Sequence, residues 1–359
     1  MHIPDGYLSP STCATLYAGA IAGWYAALKQ VRQVLLSRVV PMISVFAAFA
    51  FVVMMFNLPL PGGTTGHAIG VTISAIVLGP SGAILAISIA LAIQALFFGD
   101  GGITTLGANC FNMAIVGSLV AYGSYRLISA GAGISSKRRI VAAAIAGYLA
   151  ANASAFVAAI EFGVQPLWFH DAAGTPLYAP YPFHVALPAM MIGHLTFAGL
   201  AEALISAGLV AYLQVADPRL LQSTSGMAMS TEERAGAYLA ASSPRRLWLG
   251  VALLMLLTPL GVLAIGKAWS EWSPAEFAAA GSRAQVAAAA TMPTATSPAG
   301  MQRLTTLWTA PFPAYAPTFV RSATFGYLLS AMFGVGFLLA LSLLAQRYLE
   351  RRRTTRYFP

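Results

Sequence analysis

Charge is scarce in this sequence. Asp, Glu, Lys and Arg make up 9% of its 359 residues, against roughly 25% in an average soluble domain. With 58% of residues hydrophobic and a mean hydropathy of +0.72, that deficit excludes a soluble enzyme and a disordered chain and indicates an integral membrane protein. Cysteine is rarer still: Cys13 and Cys110 are the only two. They offer neither a disulfide framework nor a Cys-x-x-Cys thiolate cluster, so any metal must be held mainly by nitrogen or oxygen. There is no Gly-x-x-x-x-Gly-Lys-Ser/Thr phosphate loop, so no ATP-driven step is encoded in the chain itself. Acids within the apolar runs are too few and too scattered for a paired-acid hydrolase, and the chain does not read as an enzyme. No basic stripe with interleaved aromatics is present, so nucleic acid is not an expected partner.

What is there is a succession of apolar runs, nine in all, at about 11–29, 40–57, 66–79, 82–98, 107–129, 140–164, 184–214, 246–266 and 322–346. Runs such as Ile140 to Ile160 lack the period of two that a membrane barrel requires, so helices are expected. The expected fold is therefore an all-α polytopic bundle of the cell (inner) membrane, surrounded by membrane lipid. Basic residues predict its sidedness. With the N-terminus outside and the C-terminus inside, 16 of the 20 Lys and Arg fall on the inner side. The short run at 66–79 must then cross, because without it Lys137, Arg138 and Arg139 would lie outside. No basic region precedes the first apolar run, so no cleaved signal peptide is expected and Met1 should persist on the outer face.

Small polar and charged residues return between Ala216 and Pro244. This predicts a seven-span domain at 1–215, an inner linker at 216–245, and a two-span hairpin at 246–359 with a basic tail. The hairpin's outer loop, about Lys267 to Val320, is too poor in large aliphatics to pack a core alone; it should lie against the first block or be partly mobile.

Two places carry metal chemistry. In Met1-His2-Ile3-Pro4-Asp5-Gly6, a free α-amine, the next backbone amide nitrogen and the His2 imidazole can close two small chelate rings around one ion. That supplies three nitrogens in a plane; a fourth would complete the square-planar geometry that suits Ni(II) or Cu(II). The Gly/Pro-rich stretch from Pro59 ends in His67 where the next apolar run begins, on the same side as Met1. It reads as a cavity ligand or as an ordinary hydrogen-bonded histidine. Together Met1, His2 and His67 offer four nitrogens.

Residues 1–6, Pro61-Gly-Gly-Thr-Thr-Gly-His67, and Gln94-Ala-Leu-Phe-Phe-Gly-Asp-Gly-Gly-Ile-Thr-Thr-Leu-Gly-Ala-Asn109 through Met113, in that order, resemble the CbiM/NikM family. These are metal-capture membrane components of energy-coupling-factor transporters for cobalt or nickel. The likeness covers about residues 1–215. It implies that Met1, His2 and His67 bind the metal, and that Ni(II) or Co(II) is the transported substrate rather than an intrinsic cofactor. It also implies a transmembrane coupling subunit and cytoplasmic ATP-binding subunits as partners. More weakly, Gly266 to Trp272, Leu307-Trp-Thr-Ala-Pro311 and Tyr315-Ala-Pro317 are similar to the small two-span NikN/CbiN-like partner of such systems, here fused. The planar nitrogen site and the fusion both lean towards nickel.

The segment Gly99 to Asn109 has too many glycines for a regular helix, and reads either as a loop dipping into the membrane or as an ordinary turn. Metal-bound histidines usually donate their second ring nitrogen to a polar partner, and Gln94, Asp100 and Asn109 are candidates. Asp100 and Asp5 could also draw a cation to the outer mouth. His194 and Glu202 lie on similar faces of one predicted helix and are expected to pair. They carry the alternative reading, an ion-coupled secondary transporter. His170 and His184 read as interfacial structure, and Cys13 and Cys110 as small packing residues.

Overall fold

Helices account for nearly all of the secondary structure in the computed structural model, which describes residues 1–33, 36–60, 64–224, 245–263, 271–273, 275–276, 279, 297–317 and 319–357. In chain order these are α1 (Pro10–Gln33), α2 (Leu36–Met54), a small antiparallel hairpin of β1 (Leu58–Leu60) and β2 (Thr64–Gly66), and α3 (Val71–Ile93), which runs on as a π turn to Phe98. Next come α4 (Leu106–Asn109) and α5 (Gly117–Ile128), joined by the π turn Cys110–Val116, then α6 (Lys137–Trp168) and α7 (Phe183–Gly193). After α7, the π turn His194–Ala198 leads into α8 (Gly199–Ala216). The C-terminal part contains α9 (Arg245–Leu257), α10 (Ala299–Leu304) and α11 (Ala323–Tyr357). Among the described residues, five helical stretches are long and apolar enough to cross a membrane. The chain is an all-α multi-pass membrane protein, with the strand pair at 58–66 its one departure from helix among the named elements.

One glycine shapes the middle of the bundle. Val71 to Phe98 is 28 residues, about 42 Å if straight. Yet both ends come to one point: the rings of His67 and His2 are 3.2 Å apart at their nearest nitrogens, and Asp100 approaches the same His2 nitrogen at 3.1 Å. The chain must therefore reverse between them. It does so at Gly79, whose φ of 75° and ψ of 170° are non-helical and open to glycine, followed by Pro80, which cannot donate to a helical ladder. The break falls where the sequence separates the apolar runs 66–79 and 82–98.

Close packing elsewhere depends on small residues. The α6 face built from Ala142, Ala143, Ala146, Gly147 and Ala150 is buried, and a Cβ on Gly147 would stand 2.9 Å from the Glu202 carbonyl of α8. At the opposite end from His2, Arg139 is fully buried. It donates to the Tyr125 hydroxyl at 3.0 Å, the Leu221 carbonyl at 3.1 Å and Thr224 Oγ1 at 2.6 Å, and so ties α6 to the segment that follows α8. Residues 225–244 of the expected linker, and Gly266 to Ser270 of the weaker motif, lie outside the described residues.

The C-terminal part packs on α2. A Cβ on Gly334 of α11 would lie 2.2 Å from the Phe51 ring, and one on Gly261 would lie 2.8 Å from the Met55 carbonyl. Residues 297–317 reach the N-terminal segment: a Cβ on Gly6, at φ +86°, would meet the Met301 carbonyl at 2.7 Å.

Candidate metal centre

The first residues of the chain are inside the protein. Met1 is 4% exposed, His2 2% and Ile3 0%, so each polar group of this backbone needs a protein partner. The glycine-rich segment 99–109 supplies them. Asn109 makes a double contact with Ile3, accepting its amide at 2.8 Å and donating to its carbonyl at 3.1 Å. The same carbonyl accepts from the Gly102 amide at 2.9 Å and the Thr105 hydroxyl at 2.5 Å. Asp5 accepts the amides of Ile103 at 3.1 Å and Thr104 at 2.7 Å. Further along, Ser9 donates its amide to Gln165 at 2.9 Å, and Tyr7 accepts the Ala179 amide at 3.0 Å. The glycines of 99–109 are therefore a matter of close approach: a Cβ on Gly102 would lie 2.3 Å from the Asp5 amide nitrogen, and one on Gly101 would lie 2.8 Å from Asn109 Nδ2.

These anchors set His2 against His67. His67, also 2% exposed, has Nδ1 at 3.0 Å from the Ala68 carbonyl. A carbonyl only accepts, so Nδ1 carries the proton and the lone pair is on Nε2. That lone pair faces His2 Nδ1 at 3.2 Å, with the rings stacked at 4.7 Å between centroids. Two nitrogens on adjacent corners of a square plane with bonds of about 2.0 Å would be roughly 2.8 Å apart, close to this spacing. Asp100 Oδ1 lies 3.1 Å from the same His2 nitrogen.

Burial favours the uncharged form of each of these groups. It lowers the Met1 amine, against opposing pulls from Glu271 and Asp100. Burial and the neighbouring amine bring His2 down to about 3. Burial, then His2 and the amine, hold His67 well below the usual histidine range, and His194 adds to this. Burial raises Asp100 to about 6, while the hydrogen bond from Tyr315 and the amine act the other way. The shifts of His2 and His67 favour the unprotonated imidazole that a cation requires, whereas that of Asp100 favours its protonated form.

The supporting residues divide differently from the sequence expectations. Asp100 does meet a candidate ligand, His2. Asn109 holds the Ile3 backbone, not an imidazole. Gln94 bonds the Tyr315 hydroxyl at 2.9 Å and Asp100 at 3.5 Å, and its side chain also acts on His2 by a hydrogen bond. Asp5 is occupied by the amides of 103 and 104, so it is an anchor and not a free charge at a mouth. The expected pairing of His194 with Glu202 does not occur. His194 Nδ1 bonds the Met190 carbonyl of its own helix at 2.7 Å, and Glu202 accepts the amides of Ile69 at 2.7 Å, Gly70 at 2.9 Å and Thr72 at 3.2 Å. Glu202 thus anchors the turn that carries His67, because α3 begins with unsatisfied amides that a buried carboxylate can accept.

Tyr315 joins the site without a sequence signal for its role. Its hydroxyl donates to Asp100 Oδ2 at 2.5 Å; the motif around it marked a likeness to a partner, not a contact. Among the described residues no group of three His, Cys, Asp or Glu side chains is arranged to hold a metal.

The family model described as the cobalt uptake substrate-specific transmembrane region, CbiM, matches residues 2–220, which span every contact from His2 to Glu202. The fused nickel transport protein NikMN of Rhodobacter capsulatus is 52% identical over 342 residues, 95% of each chain. The probable fused nickel transport protein LarMN of Lactiplantibacillus plantarum is 40% identical over 280 residues, 77% of this chain and 79% of its own. A solved structure described as a transition metal transporter shares 52% identity at a TM-score of 0.57, covering 60% of this chain and 92% of that one.

Proposed function

This chain belongs to the CbiM family of nickel and cobalt transport membrane components, and from that premise we propose that it captures Ni(II) or Co(II) at four nitrogens of Met1, His2 and His67. The observation that carries the reading is the buried approach of His2 Nδ1 to His67 Nε2 at 3.2 Å. The amine and amide nitrogens adjacent to the His2 ring in the chain then supply the other two corners. Such a planar shell favours Ni(II) over Co(II) on the ordinary affinity order, and the 52% identical relative is named as a nickel transporter.

The chain is a transporter component and not an enzyme. The absence of a phosphate loop means that energy comes from elsewhere. In this reading it comes from cytoplasmic ATP-binding subunits acting through a transmembrane coupling subunit, as in an energy-coupling-factor importer. The ion enters from outside at the N-terminal chelate, and rearrangement of the assembly releases it inside. The rival, an ion-coupled carrier built on His194 and Glu202, is disfavoured because the Glu202 carboxylate is engaged by three backbone amides.

The test is titration of the purified chain with Ni(II), Co(II), Cu(II) and Zn(II), alongside a variant with one extra residue before Met1. The extension moves the amine out of register and leaves both imidazoles. Tight binding of Ni(II) or Co(II) that the extension abolishes supports the four-nitrogen site; binding indifferent to the extension overturns it.

A further inference from the structure

All the proposed ligands lie within the first 67 residues, yet the last polar group in their hydrogen-bonded chain comes from the C-terminal part. Tyr315 is 4% exposed. Its hydroxyl donates to Asp100 Oδ2 at 2.5 Å and accepts from Gln94 Nε2 at 2.9 Å. The other oxygen of the same carboxylate is 3.1 Å from His2 Nδ1, and His2 is 3.2 Å from His67. A continuous path therefore runs Tyr315, Asp100, His2, His67. Without the Tyr315 hydroxyl, the described partner left to Asp100 Oδ2 would be Gln94, at 3.5 Å.

The loop is held to this purpose. Ala314 and Tyr315 have φ values of 51° and 59°, two consecutive non-glycine residues in the left-handed region, a conformation that persists only where the surroundings enforce it. The enforcement is visible on both sides. Trp308 donates its ring N–H to the Leu96 carbonyl at 3.0 Å, and the Phe312 amide donates to the Phe97 carbonyl at 2.9 Å. Ser330 of α11 donates to the Tyr315 carbonyl at 3.0 Å, and the tyrosine ring stacks on Phe98 at 4.8 Å. Ring packing alone would be served by phenylalanine. The hydroxyl has a separate role, because it meets a buried carboxylate that faces a candidate ligand.

We propose that Tyr315 is a positioning residue of the metal centre: by holding one oxygen of Asp100 it keeps the other against His2, so that the C-terminal part tunes the geometry of a site to which it gives no ligand. This rests on the four-nitrogen reading. Partners one step behind a metal ligand typically change affinity by 10–100-fold when removed.

The experiment compares Ni(II) affinity and the absorption and circular dichroism bands of the bound metal in full-length wild type, Tyr315→Phe, Asp100→Asn, the double variant and Trp308→Phe. Tyr315→Phe is expected to weaken binding by about tenfold and to shift the metal bands, and the double variant to be no weaker than Asp100→Asn. Trp308→Phe, which removes one of several contacts holding the same loop and keeps the Tyr315 hydroxyl, should cost clearly less affinity than Tyr315→Phe. Unchanged affinity and bands in Tyr315→Phe overturn the proposal, and so does an equal loss in Trp308→Phe, which would make loop docking and not the hydroxyl the cause. If Tyr315→Phe does not fold, wild-type affinity in Asp100→Asn overturns it from the other side. Failure of the four-nitrogen reading is separate: it appears in wild type, as binding that survives the extension before Met1.

Discussion

Oε2 of Glu202 accepts the Ile69 amide at 2.7 Å across 133 residues of sequence. The same carboxylate takes the amides of Gly70 and Thr72, so one acid of α8 closes the first turn of α3 and fixes the direction in which His67 leaves it. Charge-assisted hydrogen bonds of this kind are strong in a dry interior, and their loss leaves buried amides unsatisfied.

Glu202→Gln should therefore damage capture itself. The amide side chain brings an N–H₂ towards backbone donors, and we expect a loss of about 2–4 kcal/mol in stability together with weaker Ni(II) binding. Thermal unfolding in detergent and metal titration check this. A variant that loses uptake but keeps wild-type stability and affinity would instead favour the ion-coupled carrier.

Gly102→Ala is a steric test of the threaded N-terminus. Its Cβ would lie 2.3 Å from the Asp5 amide nitrogen, in contact with backbone that has no flexible end to move aside. The N-terminal segment should be displaced, with loss of tight Ni(II) binding and faster cleavage of residues 1–9 by added protease. Wild-type binding would show that the segment tolerates displacement.

Asp5→Ala removes the acceptor of the Ile103 and Thr104 amides. A cost of about 2–3 kcal/mol is expected from these charge-assisted bonds, with reduced metal affinity because the chain on either side carries His2 and its anchors. Hydrogen exchange at residues 103 and 104 should accelerate; unaltered exchange there would contradict the anchoring role.

Asn109→Asp separates the two halves of one contact. An aspartate still accepts the Ile3 amide but cannot donate to its carbonyl, so the effect on stability should be smaller than that of Asn109→Ala, which leaves the buried Ile3 amide without its partner at about 1–3 kcal/mol. Equal losses in the two variants, measured by thermal unfolding, would argue against the donor–acceptor assignment.

Much of this protein was legible in its residues. Apolar runs far longer than soluble cores require established the helical membrane fold, because in lipid the backbone must satisfy itself. Donor chemistry and resemblance singled out Met1, His2 and His67 as candidate ligands, and the gap between the apolar runs 66–79 and 82–98 falls at the break that the structure places at Gly79. The supporting contacts were not legible. Asp5 looked like a charge at the outer mouth, Glu202 like a partner for His194 and Asn109 like a partner for a metal-bound histidine, because sequence reports what a side chain can bond and not what comes close to it.

By itself, then, the sequence determined that the chain spans a membrane as helices and holds nitrogen donors at its start and at residue 67. Only the tertiary structure decided that Glu202 belongs to the His67 turn and Tyr315 to Asp100. Those partners are separated by 133 and 215 residues. What joins them is the mutual burial of carboxylates with the amide and hydroxyl donors they accept from, none of which can be left unpaired in a dry interior.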